Sequence, residues 1–367
     1  MNKLLLATSA LAVSFAGAAM AVEVEMYGQV NKALMYTDNG ETGDFSVVDN
    51  ALSSTRMGVK GSQALDNGLT VSLLLEGEMV DQASSSLAPT ANTGGNSTAP
   101  TDATASTWST RHARVGVAGN WGAAFIGRQS TAADSVAEQD MAGVADLMSS
   151  DAGDMAGGFD FYTAAGVGSG NTLAGYADNF DDSDRSNSVR YDSPIFSGLQ
   201  GRISASQGGD AAVAAYYSGA YDAFKIKGAV GYEVNGDRAP NTANTALDTT
   251  VAGSLTVKHD SGIAGTVAYG EQDVDGTLAG ANVEGPSMMY GKVGYAWDAF
   301  EVAAEMGSYE DITVGTNSEA SLMGLGGQYN LADGVSVAAM YRNVDLEQGA
   351  TDFEDLSIFA MNLRVKF

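Results

Sequence analysis

Two histidines, no cysteine and 45 carboxylates bound the chemistry open to this chain. A hydrolase needs a nucleophile activated by a positioned base. His112 and His259 are the only imidazoles and no Gly-x-Ser-x-Gly elbow occurs, so the sequence reads as that of a non-enzyme. Gly166-Val167-Gly168-Ser169-Gly170 is rich in glycine but opens no helix, and a phosphate cradle requires one. Hard oxygens do gather: Asp181-Asp182-Ser183-Asp184 and Asp273-Val274-Asp275-Gly276 suit calcium, although neither completes an EF-hand loop. Calcium at Asp181, Asp182 and Asp184 is the one metal expectation, and no cofactor is required.

The densest charge lies in residues 129–187. This stretch holds eleven acids (Asp134, Glu138, Asp140, Asp146, Asp151, Asp154, Asp160, Asp178, Asp181, Asp182, Asp184) and one base, Arg185. A connection that long is out of place in a compact domain, and it marks either a functional loop or a wrong assignment.

The chain opens with Met1-Asn2-Lys3, an apolar run and Ala19-Met20-Ala21, the pattern of a cleaved secretory signal peptide over residues 1–21. Removing Lys3 with it takes the 18 basic residues to 17 against 45 acidic ones, and the net charge from -27 to -28. A nucleic-acid binder needs clustered Lys and Arg, so that partner is excluded. Without cysteine the exported chain has no disulfides to stabilise it. Beyond the leader no run of eighteen apolar residues is left to form a spanning helix.

From Val22 onward apolar residues alternate with period two, the mark of strands with two different faces. Phe224, Ile226, Val230, Tyr232 and Val234 share one face; Lys225, Lys227 and Glu233 share the other. Sixteen strands are expected, near 22–36, 54–60, 69–79, 112–117, 122–128, 188–192, 199–206, 211–217, 224–234, 250–259, 263–271, 287–297, 300–309, 321–330, 335–343 and 356–367. Their connections alternate between short turns and long acidic loops, and the long set holds 31 of the 45 acids. All five prolines fall in connections, since proline cannot donate to a strand ladder.

An open sheet of this size would expose two edges, so closure into an antiparallel barrel is expected. Side chains cannot fill such a barrel, which leaves a water-filled lumen for the polar face. The apolar face then needs lipid, and hydrocarbon accepts a closed barrel because every backbone group is paired. Trp121, Tyr191, Phe196, Tyr217, Tyr221, Phe224, Tyr269, Tyr295, Trp297, Phe300, Tyr309, Tyr329 and Phe367 lie near strand ends, where headgroup girdles form. The alternative is a secreted sandwich with these aromatics between two sheets.

Met26-Tyr27-Gly28-Gln29, Ser54-Thr55-Arg56-Met57-Gly58-Val59-Lys60-Gly61, Asp66-Asn67-Gly68-Leu69, Gly127-Arg128, Asn187-Ser188-Val189-Arg190-Tyr191-Asp192-Ser193-Pro194 and the terminal Phe367 occur in this order. In these pieces the chain resembles the trimeric general porins of Gram-negative outer membranes, alphaproteobacterial type, over residues 22–367. The resemblance implies a sixteen-stranded transmembrane β-barrel, a homotrimer among outer-membrane lipids, termini in the periplasm, and a third long loop folded into the lumen as the constriction. It carries basic wall positions onto Arg56, Arg128 and Arg190, with parity placing Arg56 and Arg190 inward; Lys60, His112 and Arg114 could extend the patch. The facing acids would come from Asp134, Glu138, Asp140, Asp146, Asp151 and Asp154. Gln29 stands where many relatives place a lysine, Lys32 falls on the lipid parity, and the family's Pro-Glu-Phe-Gly-Gly turn is absent.

The expected function is passive diffusion of small hydrophilic solutes and ions, with cations preferred because loop acids outnumber wall bases. The alternatives are a substrate-specific porin, which would need a file of aromatics along the lumen, and a secreted all-β adhesin or surface protein.

Overall fold

Alternating faces need a partner strand on each side, and the chain supplies one throughout. The computed structural model describes residues 22–88, 107–181, 185–236, 246–275, 277–278, 281–282 and 284–367. The expected leader, residues 1–21, lies outside them. The barrel strands are β1 (Glu23–Asp38), β2 in two pieces (Gly43–Asp49 and Arg56–Ala64), β3 (Thr70–Val80), β4 (Thr107–Gly119), β5 (Gly122–Ser130), β6 (Arg185–Asp192), β7 (Leu199–Ser206) and β8 (Ala211–Tyr221). They continue as β9 (Phe224–Val234), β10 (Ala246–His259), β11 (Ile263–Asp275), β12 (Ser287–Trp297), β13 (Phe300–Glu310), β14 (Ser318–Ala332), β15 (Val335–Gln348) and β16 (Leu356–Lys366). Each pairs antiparallel with the next, and β16 pairs with β1 from Gln29↔Lys366 to Asp38↔Ser357. The sheet therefore has no free edge. The result is a closed sixteen-stranded all-β barrel.

Three features differ from the sequence reading. Strands on the long-loop side run further than their hydrophobic alternation, for example β4 from Thr107 and β15 to Gln348. Polar residues continue the ladder there because neither face meets hydrocarbon. The second strand carries an additional piece at Gly43–Asp49, after which the chain leaves the wall and rejoins it at Arg56. Tyr309 lies in the lumen wall and is buried, donating its hydroxyl to Ser150 O at 2.7 Å; strand-end position alone does not distinguish faces.

The remaining expected girdle is formed largely by stacked rings on the short-turn side. Tyr295, Trp297, Phe300 and Tyr329 follow one another at centroid distances of 5.3, 5.6 and 4.6 Å, and Trp121 stacks on Tyr191 at 6.1 Å. Between the girdles the outer wall presents exposed Val, Leu, Ile and Met, an apolar band of the kind lipid requires. Most of the buried apolar side chains among the described residues form one cluster, built from the long loop and the inner wall beneath it.

Candidate functional site

Residues 131–184 connect β5 to β6, and the described part, 131–181, enters the lumen. The ladder runs past its expected bounds by two residues on β5 and three on β6, through Gln129↔Ser186 and Ser130↔Arg185. Inside the barrel the segment has single 3-10 turns at Val136–Glu138, Ala152–Asp154 and Leu173–Gly175, and a two-stranded ribbon, Asp160–Tyr162 with Gly168–Thr172. Its backbone polar groups must therefore find partners elsewhere.

The wall provides them in sequence. Ser204 on β7 accepts from Ala132 N at 2.8 Å, and Tyr216 on β8 donates to Ala132 O and Asp134 O at 3.0 and 2.6 Å. On β10 Ser254 donates to Val136 O at 2.6 Å and accepts from Gln139 N at 2.8 Å, while Thr256 accepts from Met141 N at 3.0 Å. Glu301 on β13 accepts from Val144 N at 3.0 Å, and Lys292 on β12 donates to Met148 O at 2.9 Å. The anchors thus run from β7 round to β13, turn back to β12 at Met148, and end at β15, where Arg342 donates to Ala152 O at 3.3 Å.

Close approach is possible because the wall is carved at matching positions. A Cβ on Gly294 would sit 1.6 Å from Ala142 O; on Gly326, 2.6 Å from Met148 Sδ; on Gly231, 3.0 Å from Ala133 Cβ; on Gly270, 2.6 Å from Phe180. Val144, fully buried, is held at φ 52, a conformation that costs a β-branched residue about 1–3 kcal/mol and persists only where the surroundings fix it.

Three cations under the loop were not anticipated. Lys292 pairs with Asp140, which also accepts from Thr266. Arg364 on β16 contacts Asp146 at 2.6 Å, whose other oxygen accepts from Ser336. Arg342, wholly buried, pairs with Glu305 at 2.8 Å, and Glu305 accepts from Tyr290 at 2.7 Å. A buried ion pair contributes little net stability, while loss of one partner leaves a costly uncompensated charge. Each of the three bases lies among apolar or small neighbours in the sequence, so nothing marked it as facing the loop.

Of the expected acids, Asp140 and Asp146 are therefore anchors. Asp134 is buried and accepts from Ser135 Oγ at 3.0 Å; Glu138 accepts from Asn179 at 3.0 Å. The Asp154 carbonyl accepts from Ser84 Oγ. Burial, reinforced by Asp154, Asp178 and Glu138, holds the Asp151 carboxyl well above the usual range, with Arg342 acting in the opposite sense. Asp181 accepts from Ser135 N at 3.1 Å. Asp182 and Asp184, expected beside it as calcium ligands, lie outside the described residues.

The wall the loop leaves uncovered runs from β2 to β7, and it carries the arginines. Arg56 lies 3.8 Å from Glu76. Arg190 grips Asp192 with two bonds of 2.9 and 3.1 Å, and Arg202 lies over Tyr216 at 3.9 Å. Arg114 and Arg190 lie over Phe125 at 4.2 and 5.2 Å. Arg111 joins them, contacting Glu76 and Glu78 at 2.8 Å each. Arg111 precedes the strand expected at 112–117; the β3–β4 register slips between Glu76 and Gly77, and such a bulge turns two successive side chains, Arg111 and His112, to one side.

Arg128 is not brought to this group. It shares the face of Ile126, 59% exposed, opposite Gln129, 0% exposed, and donates to Thr110 O at 2.6 Å. Lys60 lies lower, 3.3 Å from Glu25.

A closed sixteen-stranded barrel with an apolar outer band, and an acidic loop fixed inside it opposite an arginine-bearing wall, defines a membrane channel. The chain matches the family model described as Gram-negative porin over residues 7–349 and belongs to that family, which places it in the outer membrane. Comparison with curated proteins gives no match. Among solved structures it is similar to an anion-selective porin from Comamonas acidovorans, with TM-score 0.64, 15% identity, and 95% of this chain and 100% of that one covered. It is also similar to outer-membrane expressed OmpT of Vibrio cholerae, with TM-score 0.57, 15% identity and 96% and 99% coverage. A third is Salmonella typhi OmpF in complex with daunomycin, with TM-score 0.58, 15% identity and 94% and 98% coverage.

Proposed function

We propose that the chain, exported through a cleaved leader over residues 1–21, forms a homotrimeric general diffusion porin that passes small hydrophilic solutes and ions and prefers cations. The observation that carries the preference is the loop itself: residues 131–181 bring nine acids and no base into the lumen and its mouth, and acids arrayed along a pore favour cations. No step of this passage needs catalysis. A trimer form of in-vitro folded OmpT from Vibrio cholerae is among the similar structures, and it supports the trimeric state. The test is the reversal potential of the purified protein in a planar bilayer under a salt gradient; a potential of the anion-selective sign refutes the preference.

Anion preference is the second reading, because Arg56, Arg111, Arg114, Arg190 and Arg202 outnumber Glu76, Glu78 and Asp192 on the open wall, and a similar structure is titled an anion-selective porin. The same measurement separates the two. Calcium at Asp181, Asp182 and Asp184 is proposed as a structural accessory; thermal stability unchanged by a chelator removes it.

A further inference from the structure

Strand β2 is broken in a particular way. Its upper piece pairs Asp49 with Lys32 and its lower piece pairs Arg56 with Gln29. Three steps along β1 thus face seven along β2, and four residues are in excess. An even excess keeps every side chain on its own face: Val47 above and Met57 below both point outward, 58% and 39% exposed. The excess is taken up by a 3-10 turn at Ala51–Ser53 that projects into the lumen.

The turn is a built element. Asn50 Oδ1 accepts from Leu52 N at 3.1 Å. Ser53 O accepts from Gln29 and Asn31 at 2.8 and 2.9 Å, and Ser54 O accepts from Gln29 at 2.8 Å. Ala51 N donates to Ser84 Oγ at 2.9 Å. The ladder bonds lost by leaving the wall are thereby replaced, as they must be for buried backbone.

It meets the far end of the inward loop. Asn50 Nδ2 donates to Asp146 O at 2.6 Å, and Arg364 spans the two segments, contacting Asp146 Oδ1 at 2.6 Å and Ser53 Oγ at 2.9 Å. Leu52 packs on the loop's apolar cluster. A gap of about 150 Å³ opens there, lined by Leu52 together with loop residues including Glu138, Asp140 and Ser149.

We propose that the break in β2 is a second constriction element, an abutment that stops the loop at Asp146, and that Arg364 is the positioning residue that locks the two together. The inference rests on the diffusion-channel reading above. With the abutment present, the loop is held between the β12–β15 wall and the β2 turn. Without it, the end at Asp146 is fixed on one side and the limiting aperture widens.

Deleting residues 51–54 leaves three steps on each strand and restores an unbroken β2. The expected result is a single-channel conductance raised by roughly half or more, with larger sugars admitted in liposome swelling. Because the deletion could prevent folding, Asn50→Ala with Arg364→Gln is measured beside it: the strand path is kept, the lock is removed, and conductance and open-channel noise both rise, with Arg364→Lys recovering the quieter state. Heat-modifiable gel mobility identifies folded barrels. Folded variants that conduct and admit sugars as the parent does overturn the abutment. A parent that fails to conduct at all overturns the channel reading instead.

Discussion

Arg190 and Arg128 look alike in the sequence, each the one base of its expected strand, 188–192 and 122–128, yet they face opposite media. Parity turns Arg190 inward because Val189 and Tyr191 flank it. Arg128 follows Gly127 at φ 129 and was carried only by family position. Their exchange for glutamine therefore separates the two origins of the assignment. Arg190→Gln leaves Asp192 without its two-bond partner in the lumen and should move the reversal potential toward cations. Arg128→Gln should leave it unchanged. The same scale holds a pH effect. The Asp151 carboxyl is held above its ordinary value, so the folded state binds a proton more tightly than the unfolded state. Its contribution is complete below the ordinary aspartate range and is lost as pH rises through the raised value. Asp151→Asn should flatten the fall of the melting temperature across that interval, measured with the trimer in detergent; an unaltered slope shows that another group titrates there. Neither the inward turn of Arg111 nor the raised Asp151 carboxyl could be read from the chain, since a bulge moved one, and burial among Asp154, Asp178 and Glu138 set the other.

At the scale of elements, strands were legible because each one alternates over enough residues to fix its faces, as Phe224–Val234 does. The path of the loop was not, because its partners are single hydroxyls and glycines spaced one or two to a strand, such as Ser204, Thr256, Gly294 and Gly326. Each is unremarkable in a polar lumen face and acquires meaning only from the segment laid against it. The glycines make the fit testable. A valine at Gly294 would drive its Cβ into the Ala142 carbonyl, so the loop must leave the wall and move into the lumen. Gly294→Val should reduce single-channel conductance by roughly a third or more. Gly265→Val is the control, because a Cβ there meets only Lys292 O at 3.9 Å, and its conductance should match the parent. The interruption of β2 was hidden for a related reason: an insertion of four preserves alternation, so no phase change marked it.

Across the whole molecule, charge is sorted by element. Of the 17 bases after residue 21, sixteen stand in barrel strands, and the other, Arg238, lies outside the described residues. The long connections, together with the strand ends that lead into them, hold 31 of the 45 acids. This sorting was visible in the sequence as soon as strands and loops were separated, although its sense along the axis required the barrel. One end of the pore therefore carries most of the negative charge, and its reach depends on the salt beside it. Screening shortens from about 30 Å at 0.01 M to about 3 Å at 1 M. When the dilute solution faces the long loops, their carboxylates act across the mouth and enrich cations there. When the concentrated solution faces them, the same carboxylates are screened and the constriction acts alone. For channels inserted in one orientation, reversing a fixed salt gradient should then change the size of the reversal potential, with the larger cation-selective value when the loops face the dilute side. Equal magnitudes in the two directions mean that the mouth contributes nothing and that selectivity is set wholly between the inward loop and the arginine wall.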